Sequence, residues 1–348
     1  MNEFRMQPDN GLEFGVYTLG DHLVDPTTGK RISAQQRLQE IVELAKLSDE
    51  AGLDFFSVGE SHQQGFVTQA HTVVLSHIAA VTSKIKLGSS STIISTLDPV
   101  RVYEDFATLD LLSNHRTEII AGRASRIGLF ELLGYDISDY EALFEEKFEL
   151  LLKINQEERV NWSGEFRAPL TDAEVLPRAV LPIWRAVGGT STSAIKAGRQ
   201  GVPMQLATLG GAVSTFKHVI ERYRNSLEEV GLDPLAYPVG TAGFFHVAET
   251  TQQAQQEMYP YINEGMKVTN GQGFPKQAFA QGKNKDNVMN IGSVDEVVEK
   301  ILYQHDAFKH QRYLGQMDFG GVSFKQLMRT IDLIGEHVLP KIRQYTKK

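Results

Sequence analysis

The stretch that decides the fold is TEIIAGRASRIGLFELLG, residues 117–134. Its apolar start predicts a strand over residues 118–121 that ends at Gly122. Arg123 and Ser125 follow directly. Backbone N–H groups, a hydroxyl and a fixed positive charge at one sheet edge suit an anion such as a phosphate. An ordinary β–α connection with a surface arginine explains the same residues, so both interpretations stay open at this point.

The composition describes an ordinary globular chain and excludes several kinds of site. The 348 residues are 41% hydrophobic and 22% charged, with a net charge of −8. This charge argues against a broad surface for nucleic acid or an anionic membrane. There is no cysteine, which excludes disulfides, thiolate nucleophiles and cysteine metal centres. We expect a cytoplasmic protein without a secretory signal, a membrane span or a metal.

Strands and helices alternate along the whole chain. The strands are predicted at residues 12–19, 55–58, 85–90, 118–121, 183–187, 204–208, 239–247 and 313–317. Alternation without consecutive strands predicts a parallel sheet, and eight such units predict an α/β fold of the (β/α)8 TIM barrel type with insertions. A doubly wound open sheet is the other possibility, but no G-x-G-x-x-G motif follows the first strand.

Two segments interrupt the barrel pattern. Residues 159–181 predict a small hairpin insertion. A helix predicted at 251–264 is followed by residues 265–292, a loop that we expect to act as a lid or excursion before the last strand. The whole chain, residues 1–348, is predicted to form a single barrel domain.

A second glycine-rich turn supports the phosphate interpretation. The fifth strand is followed by GGTSTS, which contains Gly188, Gly189, Thr190 and Ser193 and opens a helix. Free N–H groups at a helix start attract an anion, although the same residues are also typical of a simple helix cap. Gly210 and Gly211 follow the sixth strand. In a barrel all of these residues lie at the same end, where active sites are built.

Four stretches then carry a family resemblance. They are AGLDFFSVGESH, IKLGSSSTIISTLDPVRVYEDFATLD, AGRASR and AVGGT, starting at residues 51, 85, 121 and 186. The chain resembles the bacterial luciferase-like flavin-dependent monooxygenases over almost its whole length. That resemblance implies reduced FMN supplied by a separate reductase, O2 activated as a flavin peroxide, and a small organic substrate. It also implies a homodimer, and some relatives use F420 in place of FMN.

The resemblance assigns roles to individual residues. Arg123 and Ser125 would contact the FMN phosphate or ribityl chain, and Gly188, Gly189, Thr190 and Ser193 would surround the phosphate. Gly122, Gly210 and Gly211 belong to the same predicted cofactor site. Ser90 and Ser91 match a position where the family often has a non-prolyl cis peptide beside the flavin ring.

Glu60 and His62 are the predicted catalytic residues, which would handle a proton. Luciferase has two histidines after the acidic residue, whereas Ser61 stands here in place of the first. We therefore do not expect light emission. A flavin- or F420-dependent hydride-transfer reductase and a non-catalytic flavin-binding protein remain the alternatives.

Overall fold

We describe the protein from a computed structural model, which defines residues 4–124 and 128–347. The strands are β1 (Glu13–Thr18), β2 (Phe55–Val58), β3 (Lys86–Ser89), β4 (Thr92–Ile93), β5 (Thr117–Gly122), β6 (Val160–Trp162), β7 (Leu170–Ala173), β8 (Ile183–Val187), β9 (Met204–Ala207), β10 (Val239–Ala248), β11 (Asn290–Ser293) and β12 (Arg312–Gln316). The helices are α1 (Ala34–Glu50), α2 (His71–Val81), α3 (Pro99–Leu112), α4 (Gly128–Leu133), α5 (Tyr140–Gln156), α6 (Ser191–Arg199), α7 (Val213–Glu229), α8 (Thr251–Asn270), α9 (Lys276–Gln281), α10 (Val294–Phe308), α11 (Phe324–Leu333) and α12 (Leu339–Thr346). A π-helical turn, Ile334–Val338, joins the last two helices.

The main sheet closes on itself as a parallel barrel. Its order is β1-β2-β3-β5-β8-β9-β10-β12, and β12 pairs back onto β1. The short strands β4 and β11 extend the edges of β5 and β10. The predicted (β/α)8 barrel is confirmed. In this order β12 lies across the barrel from β5, and β1 lies across from β8.

Several helices begin at a residue whose side chain caps the first turn. Ser33 accepts a hydrogen bond from the N–H of Gln36 at 3.1 Å. Asp98 accepts one from Val100 at 2.8 Å, with Pro99 in the first helical position. Each cap satisfies one of the N–H groups that a helix start leaves unpaired. None of the helices within the described ranges is long and apolar enough to cross a membrane.

Helix α8 is longer than the sequence pattern predicts. The helix expected to end at residue 264 continues to Asn270, and Gly271 terminates it with a φ of +77°. The apolar periodicity is lost at Gly265, where a Cβ would lie 2.6 Å from the ring of Phe319. A glycine therefore occupies the buried position that an apolar side chain would have marked. Residues 265–292 also contain α9 and the start of β11, so they are not one continuous loop.

The segment 159–181 contains an antiparallel pair, β6 and β7. The carboxylate of Glu146 on α5 accepts hydrogen bonds from the backbone N–H groups of Glu165, Phe166 and Arg167 at 2.7 to 3.1 Å. One side chain of the barrel layer thus holds the tip of this hairpin.

A buried ionic cluster closes the amino-terminal end of the barrel. Arg312 donates to both oxygens of Glu118 at 2.9 and 3.0 Å, and its Nε donates to Glu13 at 2.9 Å. Lys86 pairs with the same two carboxylates. Burial alone would lower the pKa of Arg312, but the two carboxylates raise it above its ordinary value. We call these four side chains the base network.

Candidate functional site

A cleft of about 550 Å³ opens at the carboxyl ends of the barrel strands. That volume lies within the range of small-molecule sites, ~300–1,000 Å³. Its polar lining side chains are Tyr17, Ser90, Ser91, Arg123, Tyr140, Gln205, Thr269 and Gln316. The rest of the lining is aliphatic, aromatic or glycine. The cleft therefore combines an apolar body with a few placed polar groups.

One end of the cleft places an arginine beside the start of a helix. Arg123 follows β5, and its Nη2 donates to Ser193 Oγ at 3.3 Å. Ser193 lies in the first turn of α6, where backbone N–H groups lack helical acceptors. Gly188 has no atom within 4 Å of the position where a Cβ would lie. We call Arg123, Gly188 and the first turn of α6 the anion end.

Arg123 is held in place by helix α5. Its Nη1 pairs with Glu141, and its guanidinium lies 5.5 Å from the ring centre of Tyr140. Lys196 also approaches Glu141, at 3.4 Å. An incoming anion would therefore have to share Arg123 with a carboxylate that is 58% exposed.

A neighbouring ion pair fixes α6 against α5. Arg185 donates to both oxygens of Glu145 at 2.9 and 2.7 Å, and Lys196 donates to it at 2.9 Å. Burial alone would raise the pKa of Glu145, but Arg185 and Lys196 hold it at about 2. Glu145 is thus charged at neutral pH, and it stabilises the helix that carries the anion end.

The peptide bond between Ser90 and Ser91 is cis, as the family resemblance implied. Ser57 Oγ donates to Ser90 Oγ at 2.9 Å. A Cβ at Gly122 would lie 2.8 Å from the Cβ of Ser91, so the glycine makes room for that serine. Gly122 is therefore required by packing at the rim, whatever it contributes to anion binding.

Glu60 and His62 lie behind this rim and do not line the cleft. The Glu60 carboxylate accepts from the N–H of Ile93 at 2.7 Å and binds His62 Nε2 at 2.7 Å. The backbone N–H of Glu60 donates to the carbonyl of Ser91 at 3.0 Å. Glu60 thus fixes the chain that carries Ser91, and a catalytic role for Glu60 and His62 stays a prediction.

The remaining predicted residues are arranged as follows. Thr190 is the exposed N-cap of α6, but its side chain makes no capping hydrogen bond. Gly189 and Gly211 have φ values of +91° and +114°, a region that favours glycine. A Cβ at Gly210 would lie 3.9 Å from the ring of Phe274. Ser125 lies outside the described residues, as does Arg126.

The sequence reasoning missed two buried amides in the cleft. Gln205 on β9 is 5% exposed, and neither atom of its carboxamide has a hydrogen-bond partner among the described residues. Gln316 on β12 accepts from the Tyr17 hydroxyl at 3.0 Å, while its Nε2 has no partner there. The available sequence signal was a polar residue inside a short apolar strand. Such a residue is predicted to face inward and to form a hydrogen bond there.

An apolar wall faces the anion end. Phe244 and Phe319 lie 5.1 Å apart, and Met266 and Thr269 of α8 complete this side of the cleft. The last turns of α8, which the sequence predicted as the start of a lid, therefore lie against the cleft as regular helix.

The cleft thus joins a cationic end to an apolar wall at the mouth of a parallel barrel. A sequence profile of luciferase-like monooxygenases matches residues 12–312. The chain belongs to this family. The resemblance that the sequence motifs carried is confirmed.

Two relatives illustrate the range of the family. An uncharacterized protein of Sinorhizobium fredii is 23% identical, covering 96% of this chain and 98% of its own. An N-acetyl-S-alkylcysteine monooxygenase of Bacillus subtilis is also 23% identical, covering 81% of this chain and 87% of its own.

Three solved structures share the fold. The monooxygenase RslO1 from Streptomyces bottropensis has a TM-score of 0.80 at 23% identity, covering 94% of this chain and 99% of its own. The oxygenating constituent of 3,6-diketocamphane monooxygenase from Pseudomonas putida, in complex with FMN, has a TM-score of 0.75 at 16% identity, covering 95% and 99%. The F420-dependent tetrahydromethanopterin reductase of Methanopyrus kandleri has a TM-score of 0.72 at 18% identity, again covering 95% and 99%. At these identities the likeness shows the fold alone.

Proposed function

We propose that this protein is a flavin-dependent monooxygenase that binds FMN in the cleft and oxidises a small organic substrate with O2. The proposal includes a separate reductase that supplies reduced FMN, and a homodimeric state. The observation that carries it is the anion end, where Arg123 meets the first turn of α6 at one end of an otherwise apolar cleft.

The residues of the cleft fit FMN. Arg123, Ser193 and the free N–H groups of α6 suit the phosphate, because helix starts and guanidinium groups both favour anions. The open space at Gly188 lets a ligand approach the backbone closely. Gly189, Thr190, Gly210 and Gly211 are proposed to shape the same end, as is Ser125 by family resemblance alone. The small side chains Ser90 and Ser91 suit the edge of a flat ring.

Bound in its reduced form, FMN would supply the electrons that activate O2. The chain's own contribution is to orient the ring and exclude water from the reacting atoms. Glu60 holds the carbonyl of Ser91 and the N–H of Ile93, so it positions the rim on which the ring is proposed to rest. Movement of a proton by the Glu60–His62 pair, 2.7 Å apart, remains part of the proposal.

The decisive experiment compares FMN with riboflavin, which lacks the phosphate. Substitution Arg123→Ala should weaken FMN binding by ~1.5–3 kcal/mol, the scale of a charged hydrogen bond. Riboflavin binding should change far less, because the flavin ring is the same. Both affinities can be measured by quenching of flavin fluorescence in titrations of the wild type and the variant.

The matched control is Arg199→Ala at the end of α6, where the guanidinium pairs with Glu229 at 3.1 Å on the surface. This variant should bind FMN like the wild type. A wild-type protein that binds neither oxidised nor reduced FMN at micromolar concentration contradicts the proposal. Binding of F420 in preference to FMN would instead favour the hydride-transfer alternative.

A further inference from the structure

The cleft has a second polar feature on the wall opposite the anion end. Gln316 lies at the end of β12, and β12 lies across the barrel from β5, which Arg123 follows. Tyr17 on β1 is its neighbour in the backbone register. The two polar features therefore face each other across the mouth of the barrel, and one ligand group cannot occupy both.

The orientation of the Gln316 amide is set by the protein. The Tyr17 hydroxyl donates to Gln316 Oε1 at 3.0 Å, which uses the acceptor of the amide. The Nε2 donors then have no partner among the described residues, although the residue is only 2% exposed. Burial raises the pKa of Tyr17, so its hydroxyl stays protonated and continues to donate.

The surroundings decide which acceptor suits this donor. Among the described lining residues Arg123 is the only charged side chain, and it lies at the far end of the cleft. Phe244 is the register partner of Gln316 on β10, and Phe319 packs against Phe244. A carboxylate beside these rings would lack a counter-charge, whereas a neutral carbonyl oxygen needs only the donor.

We propose that Gln316 anchors an uncharged, carbonyl-bearing substrate by donating Nε2–H to its carbonyl oxygen, with the body of the substrate against Phe244 and Phe319. This inference rests on the proposed function, because it assigns the opposite wall to the cofactor. It names the substrate class of that site: neutral ketones, esters, amides or lactams with an apolar body. Tyr17 is a positioning residue, which acts by fixing the amide.

The test uses 1-tetralone and tetralin, which have nearly the same size and differ by one carbonyl. Ligand-observed NMR measures the affinity of each for the full-length protein, with oxidised FMN and without it. The wild type should prefer the ketone by about tenfold, the scale of one hydrogen bond in a buried site. 1-Naphthoate, the charged probe, should bind more weakly than the ketone.

Two substitutions locate the preference. Gln316→Met keeps the volume and removes the donor, so the ketone preference should vanish while FMN affinity stays within about twofold of the wild type. Tyr17→Phe releases the amide and should reduce the preference without abolishing it. Arg199→Ala, the surface control on α6, should retain the preference.

Other outcomes overturn the inference. A wild type without a ketone preference contradicts it, as does a preference that survives in Gln316→Met. Loss of FMN affinity in Gln316→Met with unchanged ketone binding would reassign Gln316 to the cofactor. Failure of FMN to bind the wild type would refute the proposed function. The probe measurements without FMN would still test whether Gln316 binds the ketone.

Discussion

The two ends of the barrel interior both bury polar side chains, but they differ in how completely these side chains are paired. At the base, all three nitrogens of the Arg312 guanidinium donate to Glu118 or Glu13, and no part of Arg312 is exposed. At the mouth, the buried amide of Gln205 has no partner among the described residues, and Gln316 has one for its oxygen only.

This difference distinguishes polar groups that pair within the fold from polar groups that are available to a ligand. A buried polar group without a partner costs ~1–3 kcal/mol, so folding alone does not explain a glutamine at position 205. The base network is completed by the protein and has no donor left for a ligand on Arg312. At the mouth, both atoms of the Gln205 amide and the Nε2 of Gln316 have no hydrogen-bond partner among the described residues. We therefore predict that the unpaired amides lie on the ligand side of this barrel.

The largest expected effect comes from breaking the base network. Arg312→Met removes the guanidinium and leaves Lys86 as the remaining cation of the base network beside Glu118 and Glu13. Removing one partner of a buried ion pair typically costs ~3–5 kcal/mol, because the remaining charge is uncompensated. Urea unfolding followed by circular dichroism should show this loss.

Arg199→Ala is the matched surface control, and it should cost ~0–1 kcal/mol because its partner Glu229 is 57% exposed. If Arg312→Met cost as little stability as this control, the base network would not stabilise the barrel. The two ends would then not differ in the way described above.

The boundary between the two ends can be tested at Gly240. In the backbone register Gly240 pairs with Arg312 on one side and with Gln205 on the other. A Cβ at Gly240 would lie 2.8 Å from Cδ of Gln205, so Gly240→Ala must displace the amide. Overpacking of this kind costs ~1–3 kcal/mol. Unfolding free energies of the variant and wild type measure it.

Gly240→Ala is then also made in a Gln205→Ala background, which lacks the side chain that the new methyl group would meet. In that background Gly240→Ala should cost clearly less, since contacting residues couple in a double-mutant cycle. Equal costs in both backgrounds would mean that the Gln205 amide is not held against Gly240.

The same contrast explains what the sequence could predict. The alternating strands and the cis peptide at Ser90–Ser91 rest on local signals or on family motifs, and the structure agrees. The approach of Arg123 to Ser193 across 70 positions followed from the rule that barrel strands end at one face.

Contacts between residues far apart in the chain could not be predicted from the sequence. Nothing near Gln205 or Gln316 in the sequence shows that their amides lack partners, because that depends on strands far away in the chain. The length of α8 was missed for a similar reason, since Gly265 is explained only by the ring of Phe319.

The smallest expected effect has the opposite sign to the first. Gln205→Met replaces an unpaired buried amide with an apolar side chain of similar volume, so the cofactor-free protein should gain about 1 kcal/mol of stability. Unfolding at saturating FMN provides the complementary measurement, because a ligand adds stability according to its affinity for the folded state. If Gln205 contacts the ligand, the gain should shrink or reverse when FMN is bound. A loss of stability in the cofactor-free variant would instead show that the protein already satisfies this amide, and the mouth would then resemble the base.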